Sequence, residues 1–146
     1  MESLIYITDN IEKDASQLVS FLNNNKEKKI LLVNLAQENR SVEMQLGIES
    51  LIIYNSYDYF KEVCTLEKAT YELDDNIHIL PSSVKNESID INLGKLLKDV
   101  IDSEEEYETI FIVNEKAHLT NKEGFEEYNF PKKGIVEKLK GLFKGN

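Results

Sequence analysis

LIYITDNIEKDASQLVSFLNNN, residues 4–25, decides the fold. Its first five residues, LIYIT, are an apolar and β-branched run closed by Asp9 and Asn10, the pattern of a buried strand leading into a helix start. Ile11, Ala15, Leu18, Val19 and Leu22 then recur at helical spacing, and Asn23 to Asn25 supply a stop. A strand followed at once by an amphipathic helix is the first half of a βαβ unit, so the next strand is expected to lie parallel to the first.

The rest of the chain repeats that alternation. ILLV at 30–33 is an uninterrupted apolar run, as expected of a parallel strand covered on both faces. Residues 41–72 are mostly helical in pattern, with Thr65 placed as a cap before LEKATYE. IHIL at 77–80 closes against Pro81 and Ser82 as a third strand. Leu93, Leu96, Leu97, Val100 and Ile101 share one helical face, and TIFIV at 109–113 reads as a fourth strand. The expectation is an α/β fold: a mainly parallel sheet of about four or more strands flanked by helices, followed by a C-terminal amphipathic helix. Residues 119–131, LTNKEGFEEYNFP, lose periodicity and gather polar residues around Gly124 and Pro131. They read as a tether between a domain at 1–118 and a basic helix at 132–146.

Composition narrows the function classes. At 146 residues and 41% apolar content, the chain suits one domain with a single sizeable core. No stretch approaches the roughly 20 apolar residues of a spanning helix, and MESLIYITDN lacks the features of a signal peptide, so a cytoplasmic location is expected. The single cysteine, Cys64, and two histidines, His78 and His118, offer no zinc-like spacing, and no metal or other cofactor is expected. A net charge of −10 opposes nucleic-acid binding, which depends on cations replacing phosphate counterions. Charge is also segregated. From Lys132 onward five lysines (Lys132, Lys133, Lys138, Lys140, Lys144) stand against Glu137, a net of +4 that leaves −14 on residues 1–131.

From Lys29 to Val113 the chain resembles the MinD/ParA group of deviant P-loop ATPases, which includes the ATPase that positions bacterial division sites. LLVNLAQENRSVEMQLGIE at 31–49 is similar to the group's second strand and first switch loop, with Arg40, Leu46, Gly47 and Glu49 matching. YNSYDYFKEVCTLEKA at 54–69 follows its helical segment through Tyr54, Asp58, Cys64, Thr65, Leu66, Glu67 and Ala69. DNIHILPSS at 75–83 resembles its third strand and Leu-Pro-Ala-Ser ending. The resemblance implies a partial P-loop NTPase fold and a setting in cell division, polar organisation or pilus assembly.

The residues that make the group an ATPase are absent from the matching positions. Its first strand runs into a glycine-rich loop with lysines, where bare N–H groups and a helix N-terminus cradle phosphates. Here LIYIT runs into DNIEKDASQ, which has no glycine and places Asp9 and Glu12 where a triphosphate would lie. Lys13 is the only lysine nearby and reads as a solvated helix residue. The group's second strand ends Asp-x-Asp; this chain has Asn34, Leu35 and Ala36, and neither an amide nor alanine can act as a base. Its fourth strand ends in the Walker B aspartate, where this chain reads Val113, Asn114, Glu115, Lys116, Ala117. Asp9, Asn34, Ala36 and Asn114 are therefore degenerate motif positions, and no catalytic or nucleotide-binding residue is expected.

The ending KKGIVEKLKGLFKGN resembles the short membrane-binding helix of MinD proteins. Read from the residues, Ile135, Val136, Leu139, Leu142 and Phe143 share one face at i, i+1, i+4, i+7 and i+8, with lysines on the flanks. Lys132, Lys133, Ile135, Val136, Leu139, Lys140, Leu142 and Phe143 are the candidate contacts with an anionic membrane surface. The same pattern also describes a helix packed on the domain with its lysines in water. The sequence thus supports a non-catalytic, MinD-like pseudo-ATPase, peripheral on the inner face of the cell membrane, that holds a protein partner or a second copy of itself there. The alternative is a soluble interaction module or homodimer with the C-terminal helix packed on the domain. His118, just past the fourth strand, is the one residue placed where a catalytic group would sit. The acidic run Asp102, Glu104, Glu105, Glu106 and Glu108 reads as a solvated helix end or a docking patch for a basic partner.

Overall fold

The computed structural model describes residues 1–131. Chain order is β1 (Glu2–Ile7), α1 (Ile11–Asn23), β2 (Ile30–Asn34), α2 (Ser41–Leu46), a 3₁₀ turn (Glu49–Leu51), α3 (Ser56–Phe60), α4 (Leu66–Ala69), β3 (Tyr71–Glu72), β4 (Ile77–Leu80), β5 (Asp90–Asn92), α5 (Leu93–Asp102), β6 (Thr109–Asn114), β7 (His118–Thr120) and β8 (Glu126–Tyr128). Six strands form one sheet in the order β3-β4-β2-β6-β1-β8, and β5 pairs with β7 in a small second sheet. Every pairing is parallel except β3 with β4.

The continuous apolar runs are explained by cover on both faces. Alternate residues Leu4, Tyr6, Ile30, Leu32, Ile77, Ile79, Phe111 and Val113 meet Ile11, Ala15, Leu18 and Leu22 of α1. The intervening Ile5, Leu31, Val33, Leu80, Ile110 and Ile112 meet Leu93, Leu96 and Val100 of α5, with Tyr57 and Tyr59 of α3. The period-2 split of each strand therefore feeds two cores, one per face. Helix ends follow their capping residues. Asn10 caps α1 by accepting from the Lys13 N–H, Thr65 caps α4 by accepting from that of Lys68, and Asn55 with Asp58 forms a capping box on α3. Gly47, at φ 74°, closes α2 in the left-handed conformation that glycine adopts without strain.

Two details depart from the sequence expectation. Ile101 is 69% exposed although it belongs to the apolar set of α5. It follows Val100 by one residue, about 100° further round the helix, which carries it past the edge of the buried stripe. The larger departure is residues 119–131, which are part of the fold and not a tether. β8 pairs with β1 in register Tyr6↔Tyr128, and Tyr128 and Phe130 pack into the α1-side core. Phe130 lies 4.8 Å from the Tyr6 ring and 5.1 Å from that of Tyr128. The apolar signal here is three aromatics, Phe125, Tyr128 and Phe130, separated by charged and amide residues, and it is too sparse for periodicity to register. β8 also covers the edge that a four-strand sheet would leave bare. Being short and carrying Glu126 and Glu127, it resists further edge pairing.

Lys132, Lys133, Ile135, Val136, Leu139, Lys140, Leu142 and Phe143, and with them the whole expected C-terminal helix, lie outside the described residues. Among the described residues no helix is long and apolar enough to cross a membrane.

Candidate functional site

In an open parallel sheet, ligands bind beyond the C-terminal ends of the strands. Here that edge is formed by the ends of β1, β6, β2 and β4, and it gathers Asp9, Asn34, Ala36 and Asn114, the four positions expected from the sequence to be degenerate. Adjacency of β1, β6 and β2 puts Ile7 opposite Asn114 and Asn34 opposite Val113.

At the end of β1 the chain turns directly into α1. Thr8 anchors the turn, its N–H donating to the Asn114 carbonyl at 2.9 Å and its Oγ1 accepting from the Asn10 N–H at 3.1 Å. Asp14, in the first turn of α1, accepts from the hydroxyls of both Tyr6 and Thr8. Burial, with Asp14 as hydrogen-bond acceptor, pushes the Tyr6 hydroxyl up to about 12. The N-terminus of α1 has exposed N–H groups and the positive end of the helix dipole, the features that attract an anion. It already has one. The Glu115 carboxylate, just past β6, accepts from the Ile11 N–H at 2.9 Å, while the Asn10 side chain takes the Lys13 N–H. Asp9 is exposed at this turn, as is Lys13.

At the end of β2, Asn34 is fully buried and turned inward. Its Oδ1 accepts from the Ala36 N–H at 3.1 Å, and its Nδ2 donates to Glu43 Oε2 at 2.9 Å. Glu43, on α2, is itself fully buried and also accepts from Ser82 Oγ at 2.8 Å and the Ser82 N–H at 3.2 Å. Arg40 then donates through Nε and Nη2 to the Ser82 carbonyl. Ala36 packs in the α1-side core. The neighbouring Leu35 carbonyl accepts from the Tyr57 hydroxyl at 2.6 Å, and Tyr57 accepts from Gln37 at 3.0 Å. Burial, with the Glu87 and Glu115 charges, raises the Tyr57 hydroxyl to about 12 against the opposing Gln37 hydrogen bond.

At the end of β6, Asn114 closes a turn on Ala117, accepting from its N–H at 3.0 Å and donating to its carbonyl at 2.8 Å. Among the described residues no buried side-chain nitrogen or oxygen lacks a partner, so the polar groups of this edge are satisfied within the chain. No group of three or more metal-ligating side chains occurs among them either.

The other candidates lie elsewhere. His118 is exposed on the small sheet, with Nδ1 3.1 Å from Asp90 Oδ1, and among the described residues no nucleophile is paired with it. Cys64 is half-buried, and burial with the nearby Asp58 charge pushes its thiol up, away from the reactive thiolate. In the acidic run, Glu105 pairs with Lys29, whose hydrogen bond holds its carboxyl below the usual range. Glu115 and Glu43 are the residues that sequence reasoning did not single out. Glu115 needs the strand order to be seen beside Ile11. Glu43 left one legible trace, a charged residue between Val42 and Leu46 on an otherwise apolar helix face.

No protein-family profile matches the chain, and no curated protein matches it. Solved structures do. A plasmid partition protein from Borrelia burgdorferi bound to AMPPNP superposes with a TM-score of 0.56 at 20% identity, over 78% of this chain and 54% of that one. The MinD cell division protein of Aquifex aeolicus gives 0.55 at 18% identity over 99% of this chain and 64% of its own. The Aquifex aeolicus MinC:MinD complex gives 0.50 at 21% identity, over 86% and 50%. The chain thus has a MinD/ParA-like α/β fold and spans about half the length of that partition protein.

Proposed function

We propose that this protein is a non-catalytic member of the MinD/ParA-like fold that neither binds nor hydrolyses nucleotide and works by holding a protein partner. The observation that carries this reading is Glu115 on the N-terminus of α1. A carboxylate of the chain takes the place where the fold would receive phosphate, at a turn with no glycine to admit one. The second-strand acids are replaced by Asn34, held by Glu43, and by Ala36, which is core. Restoring phosphate affinity would require displacing Glu115 and rebuilding the loop. Titration with Mg-ATP in a calorimeter should give no saturable heat; binding in the micromolar range would sink this reading.

The partner is a second protein or another copy of this chain. One of the structural neighbours is a complex of MinD with MinC, which supports partner recruitment of the kind used in cell division. Residues 132–146 supply the second half of the proposal. Their apolar face and net charge of +4, opposite to the body's −14, suit an anionic leaflet and favour a peripheral position on the inner face of the cell membrane. Co-sedimentation with anionic and neutral vesicles tests it. The full chain should pellet only with anionic lipid, and Leu139→Glu with Phe143→Glu should abolish pelleting.

A second reading keeps the protein in solution with the C-terminal segment packed on the domain. Ile7, on β1, is 55% exposed beside half-buried Leu119 and Phe125, which offers an apolar seat near the point where the chain leaves β8. Absence of pelleting with either lipid, together with protection of residues 132–146 from protease, would favour it.

A further inference from the structure

β8 closes the edge of β1 on one face only. On the α1 side, Tyr128 and Phe130 pack into the core beside Tyr6. On the α5 side, the residue paired with Ile5 is Glu127, which is exposed, so β8 adds no apolar side chain there. Ile7 is accordingly 55% exposed. It lines a cavity of about 360 Å³ whose wall also holds Ile5, Ala117, Leu119 and Phe125. Those four side chains belong to or pack against the α5-side core, so the cavity opens directly onto that core.

The sequence supplies apolar side chains within reach of this opening. Tyr128 pairs with Tyr6, the neighbour of Ile7, and Pro131 follows three residues later, at most about 11 Å further along the chain. Residues 132–146 continue from that point, outside the described residues, and carry Ile135, Val136, Leu139, Leu142 and Phe143. Charge favours the same meeting. Glu127 lines the cavity, and exposed Asp9 and Glu123 adjoin its lining in sequence, against a single Lys122. The segment that follows carries +4. Attachment beside the cavity also makes the encounter intramolecular, which raises its effective concentration. The volume lies at the small end of the range for ligand pockets, so it takes some of the five apolar side chains and not all of them. A contact of that size can be given up.

We propose that this cavity seats apolar side chains of residues 132–146 of the same chain, and that cavity and membrane compete for them. The proposal rests on the membrane position proposed above for that segment, and it makes the two readings given there two states of one protein. Seating about four-fifths of the molecules lowers the apparent affinity for vesicles about fivefold, because only the released fraction binds. A polar substitution in the cavity should therefore strengthen vesicle binding although it touches no lipid-binding side chain.

The chain has no tryptophan, so Phe143→Trp places the only indole in the segment. Without lipid, its emission should be blue-shifted in the full chain, and adding Ile7→Gln should move it to the red, towards that of an indole in water. With vesicles of equal parts phosphatidylglycerol and phosphatidylcholine, Ile7→Gln should lower the half-saturating lipid concentration about fivefold. Ile53→Gln, at a side chain 85% exposed beside β3 and outside the cavity, should change neither reading. Both substitutions leave the net charge alone, and thermal melts verify folding. The seat is overturned if Ile7→Gln leaves the lipid-free emission where it was, or if Ile53→Gln moves it equally. An emission that depends on protein concentration would put the segment on a second copy and overturn it too. Equal half-saturation in parent and Ile7→Gln overturns the competition. If neither takes up vesicles, the membrane reading fails and the competition with it, while the lipid-free emission still decides the seat.

Discussion

Glu115 Oε2 accepts the Ile11 N–H at 2.9 Å, joining residues 104 apart in sequence across the gap between β6 and α1. The contact combines a charge-assisted hydrogen bond with a favourable position at the positive end of a 13-residue helix. Glu115→Ala should therefore lower the unfolding free energy by about 1–2 kcal/mol, and Glu115→Gln, which keeps an acceptor without the charge, by less. Urea denaturation measures both. Added sulfate should recover part of the loss in Glu115→Ala and not in the parent, because only the variant leaves the helix end vacant. An alanine variant as stable as the parent would show that the contact has no energetic role.

Asn34→Asp, the simplest step back towards an acidic strand end, should be destructive. The amide now donates to Glu43, a fully buried carboxylate, and an aspartate would set two carboxylates face to face away from water. A loss of about 2–4 kcal/mol is expected at pH 7, smaller at pH 5 where the pair can share a proton. Equal stability of variant and parent at both pH values would mean that Glu43 is not the partner that matters.

Tyr128→Ala and Phe130→Ala test whether the domain extends to residue 131. Both side chains are half-buried against Tyr6, Phe21 and Phe111, so each truncation should cost about 2 kcal/mol, below the range for a fully enclosed aromatic. Chymotrypsin should spare Phe125, Tyr128 and Phe130 in the parent and cut at Phe125 and the remaining aromatic in each variant. Rapid cutting at these sites in the parent would return the segment to a tether.

Alkali should unfold the protein through its tyrosines. Burial raises the hydroxyls of Tyr6 and Tyr57 to about 12, from about 10 in an unfolded chain, and moves those of Tyr59 and Tyr107 further the same way. A raised native value stabilises the fold fully below pH of about 10, and that contribution drains as pH climbs towards 12. Phenolate absorbance should accordingly rise in two stages, the second coinciding with loss of far-UV circular dichroism. A single stage centred near 10 for all seven tyrosines would contradict this.

The sheet was legible because its strands are dense apolar runs: 4–8, 30–33, 77–80 and 109–113 all lie within or beside observed strands. β8 escaped because an edge strand with one buried face needs only Tyr128 from its own three residues, supported by Phe130 beyond it. At this edge, Asn34, Ala36 and Asn114 could be picked out by position along the chain. The contacts around them could not, since Glu115 meets Ile11, and Glu43 meets both Asn34 and Ser82, only after the strands are laid side by side. Residue identity along the chain is written locally, whereas the contacts that stabilise this edge are tertiary.

β1 precedes every other described strand in the chain, yet both its neighbours in the sheet, β6 and β8, come from beyond residue 108. On the ribosome it waits with Leu4, Ile5 and Tyr6 unpaired until almost the whole described chain has emerged, while β2 and β4 can already meet. β1 is thus the strand of the described sheet that stays unpaired longest during synthesis.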